Sequence, residues 1–272
     1  MMVVAKKTTV RRRREPQTFE DRIKPLSHRP KWWRGIIYGE PGVGKSTLAA
    51  SSSEIGRTLI LSADRPDAHE AARNLGYTPD VIDITKHQDL TDAYQMLRHG
   101  GYKEYSWVWL DSGTLYQENL MDEHLAEVVA AKPHRDPDVP DKPEYLRTQV
   151  RLQKWVRAMR GVPINWGITA HVMSTVDEED GEVHYMPAFQ GGRGALSSKL
   201  CGYVGVVGRL NVRAVTITKE GKKVKRTQRV LQVQPQGKFY AKDGFNSMGN
   251  EIVRPTMAMM MKLISDKEGA KE

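Results

Sequence analysis

Short apolar runs, separated by longer segments of mixed polarity, fill the chain from Gly35 onward. Runs that are apolar throughout are typical of parallel strands covered on both faces, and the pattern predicts five such strands. The runs are GIIY (35–38), TLILSAD (58–64), VIDI (81–84), SWVWLDS (106–112) and INWGITAH (164–171). The segments between them predict helices over 45–55, 66–75, 88–99, 114–130 and 144–160. Alternating strands and helices predict an α/β domain whose mostly parallel central sheet is covered by helices.

The pattern changes to a β type in the last third of the chain. The segment RAVTITKEGKKVKRTQRVLQV follows the apolar run YVGVVGRL and predicts a hairpin that turns at Glu220 and Gly221. GKFYAKD continues the β pattern before a closing helix from about Pro255. We therefore expect a C-terminal β-hairpin extension beside the central sheet.

Two segments lack a periodic pattern and are predicted to be mobile loops. Residues 131–143 contain four prolines in thirteen residues, which excludes regular structure. Residues 173–194 are first acidic and then glycine-rich. We expect one domain over residues 31–265, with a flexible basic arm (1–30) before it and a polar tail (266–272) after it.

The chain carries a formal net charge of +9, and its cations are concentrated in two stretches. Residues 1–34 hold eleven Lys or Arg against three acids, and residues 205–242 hold ten against one. This distribution favours a polyanionic partner, and the alternative is a solvated tail and a basic hairpin that aid solubility. The single cysteine, Cys201, excludes an internal disulfide and fits a reducing compartment. No apolar stretch reaches the roughly 18 residues of a membrane span, so we expect a cytoplasmic protein with no membrane partner.

The motif GEPGVGKST lies between the first predicted strand and the first predicted helix, which is the context that the P-loop pattern requires. Its glycines let backbone N–H groups point at a β-phosphate, and the start of the helix adds partial positive charge. Lys45 is placed to reach the β- and γ-oxygens of a nucleoside triphosphate, and the hydroxyl of Ser46 is placed to ligate Mg²⁺. ATP and Mg²⁺ are therefore the expected cofactors. The predicted nucleotide-binding residues are Gly39, Glu40, Pro41, Gly42, Val43, Gly44, Lys45, Ser46 and Thr47.

Polar residues at the ends of three further predicted strands supply a candidate catalytic set. Asp111 ends the run WVWLD at the Walker B position, where its carboxylate would join the magnesium shell, and a strand-capping aspartate is the alternative. Asp64 ends the strand after the P-loop helix and is the candidate base, and a helix cap before Pro66 is the alternative. Thr169 and His171 end the last strand and are placed to sense the γ-phosphate, with a structural histidine as the alternative.

This succession of motifs resembles the core of the RecA-type recombinases: a P-loop, an acid that ends the next strand, a Walker B strand ending in Asp-Ser, and a polar sensor strand. GGRGALSSKLCGYVGVVGRL resembles the glycine-rich DNA loop of that family, and TKEGKKVKRTQRVLQVQPQGKFYAKD resembles its basic hairpin and next strand. The resemblance covers about residues 33–245. Because the chain is short and carries a basic arm, it is most similar to the phage Sak group of single-strand annealing ATPases, which are minimal RecA-like recombinases.

The resemblance implies a RecA-like P-loop ATPase that binds single-stranded DNA, assembles with itself into a ring or filament, and promotes recombination or annealing in the cytoplasm of a bacterial host. A single-strand binding protein is then a natural partner. In the second predicted loop region, Arg193 and Lys199 match as phosphate contacts. The basic residue that the family sends into a neighbour's ATP site corresponds to Lys238 or Lys242, and a solvated surface lysine is the alternative.

Departures from the family pattern keep other functions open. Asp64 stands where the recombinase has glutamate, and the acids in residues 131–143 are poorly suited to DNA contact. A DNA-packaging or helicase-loading motor is one rival, although Ser112 replaces the glutamate that AAA+ ATPases usually place after the Walker B aspartate. A nucleotide-gated DNA-binding module with little hydrolysis is the other. Trp32 and Trp33 also have two interpretations, a platform on which bases stack or the start of a buried strand.

Overall fold

The chain divides into two compact units, residues 1–31 and residues 32–272. The computed structural model describes residues 18–19, 23–28, 31–176, 181–191, 194–219 and 222–269. In the first unit the described residues include one short 3-10 helix, Leu26–His28. The strands and α-helices that the structure describes belong to the second unit.

A central sheet of nine strands, within the described residues, organises the second unit. The strands of this unit are β1 (Arg34–Tyr38), β2 (Thr58–Ser62), β3 (Asp80–Asp83), β4 (Trp107–Asp111), β5 (Asn165–Ala170), β6 (Val172–Val176), β7 (Val183–Pro187), β8 (Val206–Lys219), β9 (Lys222–Gln232), β10 (Lys242–Asp243) and β11 (Glu251–Val253). The order across the sheet is β11-β9-β8-β1-β5-β4-β2-β3, and β10 pairs with β8. The six strands from β8 to β3 are parallel, whereas β9, β10 and β11 add antiparallel pairs. β6 and β7 form a separate antiparallel hairpin.

Helices follow the strands closely. They are α1 (Lys45–Ala50), α2 (Glu70–Asn74), α3 (His87–Arg98), α4 (Gly113–Ala131), α5 (Lys142–Met159), α6 (Ala195–Tyr203) and α7 (Met257–Gly269). Local sequence explains where α5 begins, because Asp141 and Glu144 form a reciprocal capping box and Pro143 lies in the first turn. No helix in the described ranges is long and apolar enough to cross a bilayer.

Two apolar clusters cover opposite faces of the sheet because successive strand residues point to opposite sides. Ile36 of β1 belongs to the cluster that includes residues of α3 to α6, whereas Ile37 belongs to the cluster that includes residues of α1 and α7. Trp33 is 1% exposed, and its ring lies 5.6 Å from that of Trp107 and 5.3 Å from that of Trp109. Trp33 is therefore core, and the interpretation of its ring as a base-stacking platform is wrong.

The predicted α/β fold, with a mostly parallel sheet and C-terminal antiparallel strands, is confirmed. One detail of burial is wrong: β3 is an edge strand, and its apolar residues Val81 and Ile82 are 46% and 50% exposed. An apolar run cannot distinguish a central strand from an edge strand, because strand order depends on contacts that are distant in sequence.

Three segments differ from their predicted structure. The region predicted as a loop over 173–194 holds the β6–β7 hairpin, in which Thr175 pairs with His184. The glycine-rich segment after it contains α6, whose buried residues Leu196, Leu200 and Cys201 pack into the core. α7 continues to Gly269, into the segment that the sequence separates as a polar tail. Tertiary packing stabilises α6, which local composition does not indicate. The extension of α7 into the predicted tail is exposed at Asp266 and Lys267 and continues a helix whose earlier turns are buried. The hairpin turn predicted at 220–221 lies outside the described residues.

Candidate nucleotide-binding site

The P-loop connects the end of β1 to the start of α1. Two of its glycines have positive φ angles, 75° at Gly42 and 101° at Gly44, and L side chains rarely adopt such values. Gly44 immediately precedes α1, and a Cβ added there would lie 2.5 Å from Nε of Arg229. Both the backbone turn and the close approach of Arg229 therefore require glycine at this position.

The side chain of Lys45 is buried beneath the P-loop. Its Nζ donates hydrogen bonds to the carbonyl oxygens of Gly39, at 3.0 Å, and Glu40, at 2.9 Å. Burial lowers the pKa of Lys45, and the nearby carboxylates of Asp111, Glu40 and Asp64 oppose that shift. An anionic ligand within reach of Nζ would favour the charged form for the same electrostatic reason.

A cavity of about 490 Å³ opens over the P-loop. Six of the predicted nucleotide-binding residues line it, namely Pro41, Gly42, Gly44, Lys45, Ser46 and Thr47. The other three contribute carbonyl oxygens beside it, those of Gly39 and Glu40 to Lys45 and that of Val43 to Arg229. The predicted catalytic residues Asp64, Asp111 and His171 also line this cavity. They meet here because β2, β4 and β5 are parallel, so their carboxyl ends share one edge of the sheet.

Asp111 is held in place by the neighbouring strand. It is 1% exposed, and its Oδ1 accepts a short hydrogen bond from the hydroxyl of Thr169. Thr169 therefore positions Asp111, whereas the sequence predicted it to sense the γ-phosphate. The other oxygen, Oδ2, is buried without a hydrogen-bond partner in the described structure, and Nδ1 of His69 lies 3.8 Å from it.

The unpaired oxygen of Asp111 provides a test of whether the site suits Mg²⁺. A buried carboxylate oxygen without a donor is costly unless a cation or a water approaches it. Ser46 adds a hydroxyl on the wall of the same cavity, and oxygen ligands of this kind fit a magnesium ion that keeps several waters and phosphate oxygens. The described residues contain no cluster of three or more His, Cys, Asp or Glu that could hold a metal ion. The unpaired oxygen of Asp111 and the hydroxyl of Ser46 fit a magnesium ion that takes its other ligands from water and phosphate.

Asp64 lies in the cavity wall and does not cap a helix. α2 begins at Glu70 after His69, and the Oδ1 of Asp64 accepts a hydrogen bond from the N–H of Arg65 at 2.8 Å. The helix-cap interpretation is wrong, and the carboxylate remains placed as the candidate base.

His171 lies directly beyond the end of β5 in the same cavity. Its backbone N–H donates to the hydroxyl of Thr114 at 3.0 Å, which fixes the main chain at this point. The pKa of His171 is lowered first by burial and then by the charge of Lys45. Without a bound anion the imidazole is therefore neutral at pH 7, with one ring N–H that can donate and one ring nitrogen that can accept.

Ser112 takes the position that AAA+ ATPases usually give to glutamate, and it has a structural function here. It is the N-cap of α4, and its hydroxyl accepts a hydrogen bond from the N–H of Leu115 at 3.3 Å. The peptide bond between Asp111 and Ser112 is cis. The carboxylate that could activate water must therefore come from another strand, and Asp64 is the one that lines the cavity beside Asp111.

Arg229 is a cavity residue that the motifs did not indicate. It lies on β9, and its Nε donates to the carbonyl oxygen of Val43 at 2.8 Å. It also lines a second cavity of about 260 Å³, which shares Gly44 and Thr47 with the first and contains the ring of Tyr77. The only sequence signal for Arg229 was its membership of the basic hairpin, because the approach of β9 to the P-loop spans 186 residues of chain.

The remaining predicted residues lie outside the cavity. Lys199 is exposed on α6, and Arg193 lies outside the described residues. Nζ of Lys242 donates to the carbonyl oxygen of Val204 at 2.8 Å, and Lys238 forms a salt bridge with Glu182 at 2.7 Å. Each lysine side chain therefore already has a partner within its own chain. To reach the ATP site of a neighbouring subunit, it would have to break that contact.

The strand order and the cavity together define a P-loop nucleoside triphosphatase, with β5 between the P-loop strand β1 and the Walker B strand β4. The sequence profile of a protein family described as an AAA domain matches residues 31–245. The chain therefore belongs to this AAA-domain family and is a nucleotide-binding P-loop ATPase. No curated protein matches the chain.

Proposed function

We propose that this ATPase binds single-stranded DNA in an ATP-dependent manner and acts, as a ring or filament, in homologous recombination or single-strand annealing, and that a phage encodes it. The observation that carries the proposal is the position of the β8–β9 hairpin. β8 runs parallel to β1 and pairs with it only from Val206 to Arg209, so the hairpin continues past the sheet at the edge where the P-loop lies. A basic element thus begins beside the nucleotide cavity.

The outer part of this hairpin, residues 211–219 and 222–229, is named here the basic ribbon. Among its described side chains Lys225 and Arg226 are exposed, and Arg213 is exposed but forms a bidentate salt bridge with Glu251 of β11. Cations on an exposed two-stranded element suit a phosphate backbone, because each contact releases counterions into solution.

Each residue of the cavity has a separate role in ATP hydrolysis. Lys45 would contact the phosphate oxygens, and Ser46 and Asp111 would hold the magnesium ion, which would supply positive charge to offset that of the phosphates. Asp64 orients the attacking water and accepts its proton, while His171 hydrogen bonds near the γ-phosphate. Thr169 fixes the orientation of the Asp111 carboxylate through its hydrogen bond to Oδ1.

We also propose contacts between subunits and with DNA. Lys238 or Lys242 of one subunit enters the ATP site of its neighbour, leaving its present partner, and stabilises charge on the transferring phosphate. Arg193 and Lys199 add further phosphate contacts with the DNA. ATP bound between subunits then favours the DNA-binding form, and hydrolysis releases it.

The experiment that tests the function is ATP hydrolysis by the purified protein without DNA, with single-stranded DNA and with duplex DNA, at low and high salt. We expect single strands to raise a rate that Lys45→Ala abolishes, and we expect salt to weaken the stimulation. A rate that duplex DNA raises more than single strands would support the packaging-motor alternative. If DNA of neither kind changes the rate or the affinity for ATP, the proposed DNA function is refuted and the ATPase alone remains.

A further inference from the structure

Arg229 connects the P-loop to the basic ribbon through one side chain. The Nε donates to the carbonyl oxygen of Val43, which fixes the guanidinium against the loop. Within the described part of the chain, Nη1 and Nη2 of Arg229 have no protein acceptor, and the side chain is exposed in the wall of the phosphate cavity. Because the guanidinium is held through Nε alone, Nη1 and Nη2 remain as donors for a ligand in the cavity.

The ligand that these donors suit is a phosphate group. A guanidinium binds phosphate through two parallel N–H groups, a geometry that lysine lacks. Lys45 lies in the same cavity, but its Nζ is hydrogen-bonded to two loop carbonyls in this structure. Arg65 also lines the cavity, but its Nε forms a salt bridge with Asp67 at 3.1 Å. Arg229 is thus a further cation available to a polyphosphate, and it comes from the C-terminal hairpin of the same chain.

The backbone of Arg229 is anchored to β11, whereas the ribbon beyond it has few contacts with the rest of the sheet. The carbonyl oxygen of Arg229 accepts a hydrogen bond from the N–H of Arg254 at 2.8 Å, where β11 ends. β9 pairs with β11 only from Val230 to Gln232, and outward from Arg229 the described strands form backbone pairs only with each other. One side-chain contact crosses to β11 near the base of the ribbon, the salt bridge between Arg213 and Glu251 at 2.7 Å. A two-stranded ribbon is marginally stable alone, so a contact at its base can alter its order.

We propose that Arg229 is a phosphate ligand that β9 supplies in cis, and that through it nucleotide binding orders the basic ribbon, which is the surface that contacts single-stranded DNA. The inference rests on the proposed function for its DNA partner. Ordering at the base would spread along β9 to Lys225 and Arg226, four and three residues away on the same strand. DNA and ATP would then each raise the affinity for the other by the same factor.

The first experiment measures Kd for ATP, and Kd for a single-stranded oligonucleotide with and without a non-hydrolysable ATP analogue. In the wild type we expect the analogue to tighten DNA binding about tenfold, within the usual range of coupling between sites. In Arg229→Gln we expect ATP binding to weaken about tenfold and the gain in DNA affinity to disappear. Arg229→Lys keeps the charge but not the fork of donors, so it should recover only part of both effects.

A second pair of variants tests the ribbon as the DNA surface. Lys225→Gln/Arg226→Gln should weaken DNA binding and lower the slope of log Kd against log salt by about 1.4, since each single-strand phosphate contact contributes about 0.7. The matched control is Lys154→Gln/Arg157→Gln, which removes two exposed cations from α5. It should leave the slope unchanged.

Hydrogen exchange distinguishes a phosphate ligand from a residue that only stabilises the fold. We expect the ATP analogue to protect the ribbon amides in the wild type and not in Arg229→Gln, while both proteins unfold at the same temperature without nucleotide.

The inference is overturned if Arg229→Gln retains the ATP affinity and the coupling, or if it lowers the unfolding temperature while folded protein binds ATP normally. It is also overturned if the ribbon and control pairs change the DNA slope equally. If the wild type binds ATP but no DNA, the proposed function fails, and Arg229 is then tested on ATP affinity alone.

Discussion

Replacing Thr169 by Val tests whether one hydroxyl holds the Walker B carboxylate. Asp111 and Thr169 are both buried, at 1% and 0% exposure, and Oδ1 of Asp111 accepts the hydrogen bond from Thr169. Because Oδ2 already lacks a partner, the substitution would leave a buried carboxylate without a hydrogen bond on either oxygen. Valine has nearly the shape of threonine, so the change removes the donor without opening a cavity.

The magnitude follows from the charge of the acceptor. A hydrogen bond to a charged group contributes about 1.5–3 kcal/mol to stability, and a buried acceptor that loses its donor bears the cost of desolvation. We therefore expect the free energy of unfolding to fall by about 1.5–3 kcal/mol in Thr169→Val. With a denaturant slope of about 3 kcal/mol/M, the urea midpoint would fall by about 0.5–1 M.

Urea unfolding monitored by circular dichroism measures this change, with Thr169→Ser as the control. Serine keeps the hydroxyl and loses only a methyl group, so it should retain most of the stability. ATP hydrolysis by Thr169→Val should fall as well, because the hydroxyl no longer fixes the orientation of the carboxylate that would hold the magnesium ion. An unchanged midpoint in Thr169→Val, or an equal loss in Thr169→Ser, would show that the hydroxyl does not support Asp111.

Three further changes test other parts of the site. Asp64→Asn should lower the turnover about 10²–10⁴-fold, because the amide cannot accept a proton from water, while the affinity for ATP is retained. An unaltered steady-state turnover would show that Asp64 is not the base. Affinity for ATP should decrease as the pH rises through the pKa of Lys45, because the neutral amine no longer attracts phosphate. Since burial lowers that pKa, the decrease should occur below the pH at which an ordinary lysine titrates. Calorimetric titrations that find a constant affinity across this pH range would contradict the prediction. Trp33→Ala should cost about 3–5 kcal/mol in unfolding free energy because the ring packs against Trp107 and Trp109, while folded protein should keep its DNA affinity, and a selective loss of DNA binding would restore the stacking interpretation.

The sequence by itself determined the class of the fold and the P-loop. The buried strands β1, β2, β4 and β5 are recognisable because a parallel strand covered on both faces must be apolar throughout. The P-loop is recognisable because phosphate binding restricts consecutive positions to glycine, lysine and a hydroxyl residue. Asp64 and Asp111 follow from the same logic, since a residue at the carboxyl end of a parallel strand reaches the shared edge of the sheet.

Only the tertiary structure decided which distant residues support that site. Thr169 reaches Asp111 across 58 residues, and Arg229 reaches Val43 across 186, so no local pattern could connect them. The same holds for β3 at the edge of the sheet and for α6 within a glycine-rich segment, whose structures depend on their neighbours. Local periodicity records which residues face a core, whereas the partner of a buried carboxylate or a loop carbonyl depends on strand order and register. The basic ribbon combines both: the sequence predicted its charge, and the fold placed its base at the nucleotide.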